Sequence, residues 1–289
     1  MIFRSYRAGI FLICATLAVS YIPFFSTIAE TEPIYESPFL IPPPSMATPA
    51  ALIASTKEAI NYDIARGWER KFAQVEAIRA ARPPMVALTF DDGPSAHTSQ
   101  ILDILEYHNA RATFFVIGRS VKYYADTVLR AHELGNEIAS HMYTHQLLTR
   151  LSDERIRQGI AAGSNAIAAV IGYSPTILRP PGGAINDRVV YLIRQAGYAI
   201  ILWNIDTNDW RDRNADIIYR RVMQNIRDGD IILLHDIYRT TVQAMERVIP
   251  SLIEQGFYLV TVSELLYYVH GRPPVPGEVY FHGREVNGR

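Results

Sequence analysis

Residues 86–108 read VALTFDDGPSAHTSQILDILEYH. The run 86–90 is apolar and strand-length, and predicts a buried strand. It runs straight into Asp91-Asp92-Gly93-Pro94, a turn composition. Residues 99–108 are amphipathic and predict a helix. The same strand-then-helix unit recurs along the chain. Further candidate strands are 113–117, 137–140, 177–179, 199–206, 230–235 and 258–262. Candidate helices are 121–134, 153–171, 187–195, 215–226 and 242–254. Ser152 is a suitable N-cap for the third helix, with Asp153 and Glu154 in its first turn. Gly135, Gly172, Gly197, Gly229 and Gly256 follow helical segments where a left-handed stop is needed. About seven alternations imply parallel strands joined by crossover helices, an α/β fold. Such a sheet can close as a barrel or stay open and doubly wound. No GxGxxG or Gly-rich phosphate loop follows the first strand, which weighs against a nucleotide-binding sheet. An irregular barrel is expected.

Composition narrows the function classes. Among 289 residues, 49% are hydrophobic and 20% charged, an ordinary globular balance that excludes a disordered or collagen-like chain. Lys+Arg (28) nearly cancels Asp+Glu (29), so the charge gives no reason to propose nucleic-acid binding. The single cysteine, Cys14, lies in an N-terminal apolar run. Any metal in the folded part is therefore held by His, Asp or Glu.

Arg4 and Arg7 precede that run, residues 8–25, and small residues follow it through Ala29. A positive start, an apolar middle and a small-residue end describe an export signal, residues 1–29. The run is nearly long enough to span a bilayer, so cleaved signal and membrane anchor both stay open. Residues 30–50 are rich in Pro, Ser, Thr and Ala, with Pro42-Pro43-Pro44 at the centre, and read as a linker. Residues 51–80 have apolar positions at mostly three- or four-residue steps and predict a helix ended by Pro83-Pro84. The linker and helical extension thus cover 30–83, the folded domain 84–270, and a Gly- and Pro-bearing polar tail 271–289.

The chemistry-bearing residues cluster where the predicted strands end. These clusters are Asp91-Asp92, His141…His145, Arg179-Pro180-Pro181-Gly182-Gly183, Asp206…Asp209-Trp210, and Leu233-Leu234-His235-Asp236. Each alone has a bland reading as a turn, a surface pair or a loop. In a β/α barrel, however, the carboxyl ends of all strands open onto one face, where the active site lies. His141, His145 and one carboxylate form a two-His, one-acid set that leaves positions open for water. A neighbouring carboxylate can act as base, His235 as acid, and Asp209 can orient it. This is a constellation for hydrolysing an unactivated amide.

In order and spacing these motifs resemble those of the carbohydrate esterase family 4 polysaccharide deacetylases, the NodB-homology domain. The resemblance covers about residues 84–270. It implies a distorted, incomplete (β/α) barrel and metal-dependent hydrolysis of the N-acetyl group of amino sugars in a polysaccharide such as peptidoglycan or chitin. It implies that Asp91 is the catalytic base, that Asp92, His141 and His145 hold a divalent metal (usually Zn2+, with Co2+ able to serve), and that Arg179 holds the base. It implies that His235 is the acid paired with Asp209, and that Trp210 and Leu233 wall the acetyl-methyl pocket. The Gly182 N–H is implied to help bind the oxyanion. Two positions depart from the pattern: Met142 stands where Ser or Thr is usual, and Gly182 where Tyr is frequent. Acetylated xylan is an alternative substrate. A catalytically dead sugar-binding module is the alternative from another class, although every catalytic position is filled. An export signal and long linker favour a wall-facing location and peptidoglycan.

Overall fold

The computed structural model describes residues 84–284. The predicted signal, the linker and the 51–80 helix lie outside them. Strand β1 (Met85–Asp91) is buried along its whole length. It is flanked by β2 (Thr113–Val116) on one side and β7 (Ile231–His235) on the other, both parallel. A strand with parallel neighbours and covered faces reads as one continuous apolar run. Its side chains still alternate. Val86, Leu88 and Phe90 join the larger core cluster with the helices, where the Phe90 and Phe114 rings stack at 5.1 Å. Met85 and Ala87 face a second cluster. Thr89 and Asp91 continue that second face, so it carries apolar packing at one end and a carboxylate at the other.

The full sheet adds β3 (Glu137–Ser140), β4 (Ile177–Leu178), β5 (Ala199–Ile201), β6 (Ile205–Asp206), β8 (Tyr258–Leu259) and β9 (Val279–Tyr280). The strand order is β6-β7-β1-β2-β3-β4-β5-β9, every ladder is parallel, and β8 pairs with the first residues of β1. In a flat sheet β5 and β6 would lie about 29 Å apart, six strand spacings of about 4.8 Å. Ile201 and Ile205 are joined by a chain that spans at most about 14 Å. The sheet must therefore curl until its ends nearly meet, giving the distorted, incomplete barrel expected from the sequence. The seam is tied by Leu202 N–H to Tyr280 O (2.7 Å), and by Asn204, whose side chain bonds Ile231 N–H and the Asp230 carboxylate.

The helices are α1 (Thr98–Tyr107), α2 (Gly118–Val121), α3 (Ala125–Glu133), α4 (Asp153–Ile171), α5 (Asp187–Gln195), α6 (Asp209–Asp212), α7 (Ala215–Asn225), α8 (Arg239–Glu254) and α9 (Val262–His270). Helix α9 packs Val262, Leu265 and Leu266 into the second cluster with Met85 and Ala87, on the opposite face of β1 from the larger core. Helices α4 and α5 match their predicted bounds. Ser152 caps α4 through the Arg155 N–H, and Gly172 stops it at φ 86°. No helix among the described residues is long and apolar enough to cross a membrane.

Four readings need correction. The run 199–206 is two strands, because it crosses the seam and its halves pair with opposite edges. The predicted helix 121–134 breaks after Val121 and resumes at Ala125. The predicted strand 258–262 ends at Leu259. There Thr261 starts α9 through a capping box with Glu264, a Thr-x-x-Glu signal present in the sequence but not used. Within the residues read as a tail, Val279–Tyr280 form β9 on the edge of β5, and His282 bridges Asp230. A two-residue strand is too short to show alternation, so composition alone reads as a tail.

Candidate active site

The strand ends deliver the singled-out side chains to one end of the barrel. Asp91 and His235 are register partners on β1 and β7, so their backbones lie about one strand spacing apart. Two groups of side chains surround them.

The first group is built on Arg179, a fully buried guanidinium after β4. It donates to Asp91 Oδ1 (2.8 Å), Thr89 Oγ1 (2.7 Å), Ile201 O (3.1 Å) and Leu202 O (3.0 Å), and lies 4.1 Å from the Phe115 ring centroid. Burial pushes Arg179 down, while the charge and hydrogen bond of Asp91 push it back up. Arginine's high intrinsic basicity keeps it charged. Its own carbonyl accepts a bond from His141 Nδ1 at 2.7 Å, leaving Nε2 as the ring's lone-pair nitrogen. Burial pushes His141 below its ordinary value, against the charges of Asp91 and Asp92. The ring is therefore held neutral, the form that ligates.

His141 Nε2 faces Asp92 Oδ1 at 3.6 Å and Asp91 Oδ2 at 3.8 Å, and His145 Nε2 lies 3.5 Å from Asp92 Oδ1. Asp92 Oδ1 is buried and accepts no hydrogen bond among the described residues. A lone-pair nitrogen and an anionic oxygen facing each other without a proton repel, and an unsatisfied buried carboxylate oxygen is costly. A cation between them removes both penalties. Asp92, His141 and His145 offer ligand atoms within 4.8 Å of one another, so this donor set fits a divalent metal.

The chain is forced into shape here. Asp92 has φ 72° and Met142 φ 68°, left-handed values that side chains with a Cβ rarely adopt. Met142 is buried, and its carbonyl accepts the Gly118 N–H at 2.9 Å. A Cβ at Gly163 would come within 2.9 Å of the Met142 carbonyl carbon, and one at Gly159 within 2.9 Å of its Cε. Glycines inside α4 thus admit the histidine loop. The residue that departs from the family pattern is held by packing, with its N–H on Ser140 Oγ at 3.2 Å.

The second group is Asp209 and His235. Asp209 is fully buried. Its Oδ1 accepts from His235 Nδ1 (2.7 Å) and Trp210 N–H (2.9 Å), and its Oδ2 from His235 N–H (2.7 Å) and Thr241 Oγ1 (2.7 Å). Burial works against a charged His235. The hydrogen bond and charge of Asp209, with the charges of Asp91 and Asp92 beyond, outweigh it and raise the ring above its ordinary value.

The remaining predicted residues lie around this centre. Leu233 is buried in β7, and its carbonyl accepts from Thr207 Oγ1. Trp210 is 47% exposed. Gly182 is exposed at φ 63°, where a Cβ would press on Leu147. Sequence reasoning assigned no role to Thr89, Thr241, Gly159, Gly163 or Asp236. Asp236 is buried directly under the Asp92-Gly93 turn. Any Cβ at Gly93 would collide with its carboxylate, and burial pushes that acid up to about 7.

The polysaccharide deacetylase family model matches residues 79–201. The chain is 47% identical over 182 residues to the peptidoglycan-N-acetylmuramic acid deacetylase PdaC of Bacillus subtilis, covering 63% of this chain and 38% of that protein. It is 40% identical over 196 residues to a peptidoglycan-N-acetylglucosamine deacetylase of Bacillus cereus, covering 64% of this chain and 90% of that protein. The structure of the Xyl-CE4 domain of a multidomain xylanase, from the hindgut metagenome of Trinervitermes trinervoides, aligns at TM-score 0.65 and 37% identity, over 70% of this chain and 98% of that one. The chain belongs to the polysaccharide deacetylase family, whose deacetylases are metal-dependent hydrolases. It spans about two fifths of the length of the PdaC relative.

Proposed function

We propose that the protein hydrolyses the N-acetyl group of an amino sugar in peptidoglycan, releasing acetate. The observation that carries this reading is the meeting, at one barrel end, of an unsatisfied Asp92–His141–His145 ligand set with a fully satisfied Asp209–His235 pair. Asp91 lies between them. The names of the relatives support peptidoglycan as the substrate class.

Asp92, His141 and His145 would hold a divalent ion. Zinc suits two imidazoles and one carboxylate, with cobalt as a substitute. Such an ion supplies Lewis acidity and a water acidified toward neutral pH. Asp91, fixed by Arg179, accepts the proton of the attacking water. The Gly182 N–H donates to the oxygen that gains charge; loss of one such donor typically costs about 100- to 1,000-fold. His235, kept charged by Asp209, gives its proton to the departing amine nitrogen. Trp210 and Leu233 enclose the acetyl methyl. The run after Arg4 and Arg7 supports export to the cell envelope, with the folded domain facing the wall.

The test is acetate release by the purified chain with added zinc from peptidoglycan, chitin oligomers and acetylated xylan, with Asp91→Asn as control. Metal-dependent release from peptidoglycan that is lost in Asp91→Asn supports the reading. Release from xylan alone moves the substrate to the hemicellulose reading that the Xyl-CE4 likeness favours. No release from any substrate by metal-loaded protein sinks it.

A further inference from the structure

We propose that Arg213 is a carboxylate-binding residue of the substrate cleft, selecting amino sugars that carry an acidic substituent beside the acetamido group. The inference rests on the deacetylase reading and deepens it.

Arg213 follows α6 in a left-handed conformation, φ 47°. Its Nε donates to the Trp210 carbonyl at 2.8 Å. Its guanidinium carbon sits 3.4 Å from the centroid of the Tyr238 ring. The Tyr238 centroid lies 5.9 Å from that of His235. Laid end to end, these separations put the guanidinium within about 9 Å of the imidazole that would protonate the leaving nitrogen.

The neighbouring arginines are already engaged: Arg211 and Arg221 both pair with Asp212. Arg213 has no carboxylate partner among the described residues. Backbone, Nε and one ring face are fixed, while the two terminal nitrogens stay available. That is a preorganised fork for a planar two-oxygen anion.

The electrostatics allow the fork this use. Asp91 and Asp209 are offset by Arg179 and by His235, and Asp92 by the divalent ion its ligand set would hold, so the centre does not turn an acidic substrate away. A fixed cation at the rim can then bind its carboxylate. A muramic acid residue bears its lactyl ether on the ring carbon next to the acetamido carbon, so its acidic arm falls on the scale of the gap between His235 and Arg213. The carboxylate can belong to the lactyl group itself or to a peptide attached to it.

The experiment uses the full chain with zinc and three substrates. These are neutral N-acetylglucosamine oligomers, glycan strands stripped of peptide so that lactyl carboxylates are free, and intact peptidoglycan. The readout is the ratio of kcat/KM on each acidic substrate to that on the neutral one. Arg213→Ala should lower this ratio about 10- to 100-fold, the size of one charge-assisted contact, mainly through KM. Arg213→Lys, which keeps the charge and loses the fork, should fall in between. Tyr238→Leu, which frees the guanidinium without removing it, should give a smaller drop. The substrate whose ratio falls identifies the lactyl or the peptide carboxylate. An unchanged ratio, or an equal loss on all three substrates, overturns the proposal. An absence of acetate from every substrate with the parent protein overturns the deacetylase reading instead.

Discussion

Asp209 and Asp92 are both aspartates at strand ends of one barrel, and the fold treats them in opposite ways. Asp209 is fully buried with four donors on its two oxygens. Asp92 has a left-handed backbone and a buried oxygen that nothing in the described chain satisfies. The acid half of the site is finished by protein alone. The metal half is built with a deficit that a cation fills. Protein-made preorganisation and ligand-made preorganisation therefore sit side by side, and they should respond differently to mutation.

The largest expected separation is in metal dependence. His141→Ala should abolish zinc binding measured by calorimetry and bring acetate release to background, whereas Asp209→Asn should bind zinc like the parent. Equal zinc loss in both would mean that the halves are one cooperative unit. Next, Asp209→Asn should lower kcat by about 100- to 10,000-fold, the range for a general acid. It should also move the alkaline limb of the pH–rate profile to lower pH. Asp209 raises His235, so without it the ring loses its proton earlier as pH rises. A limb that stays in place would show that something else charges the imidazole.

Smaller effects fall on stability. Asp236 is raised to about 7 by burial, so the folded state binds its proton more tightly than the unfolded state does. Its contribution is most favourable below about pH 4, declines as pH rises toward 7, and is level above. Asp236→Asn should therefore gain on the parent across that window, by at most about 4 kcal/mol, read as a difference in Tm between acid and neutral buffer. A constant difference would place the proton elsewhere. Smallest, Asp92→Gly should raise the Tm of metal-free protein, by relief of about 1 kcal/mol of backbone strain, while removing the stabilisation that zinc gives the parent. A fall in metal-free Tm would mean that the Asp92 carboxylate already supports the fold.

The contrast also explains what could be seen from the amino acids. Strand β1, helices α4 and α5 and the strand-end clusters announce themselves through local pattern, because each is apolar, periodic or compositionally odd over several residues. Helix α4 carries its own start at Ser152 and stop at Gly172. Apart from the local Thr261–Glu264 capping box that starts α9, what escaped depends on partners distant in sequence. Thr241 matters only because α8 begins beside Asp209. Gly159 and Gly163 matter because a loop from β3 presses on α4. The break at Leu202–Asn204 follows from barrel closure, which no window of residues contains.

The order of strands has a consequence in time. β1 is the first strand of the described chain to be synthesised, yet it is completed by β7 and β8, and Thr89 hydrogen-bonds to a carbonyl 143 residues further on. Contacts of such long sequence separation form slowly, after much loop-closure entropy has been lost. A growing chain thus holds its central strand unpaired on one side until nearly the whole domain has been made. Asp91 gains His235 beside it at that same late step, so an early-terminated chain carries the base without its acid.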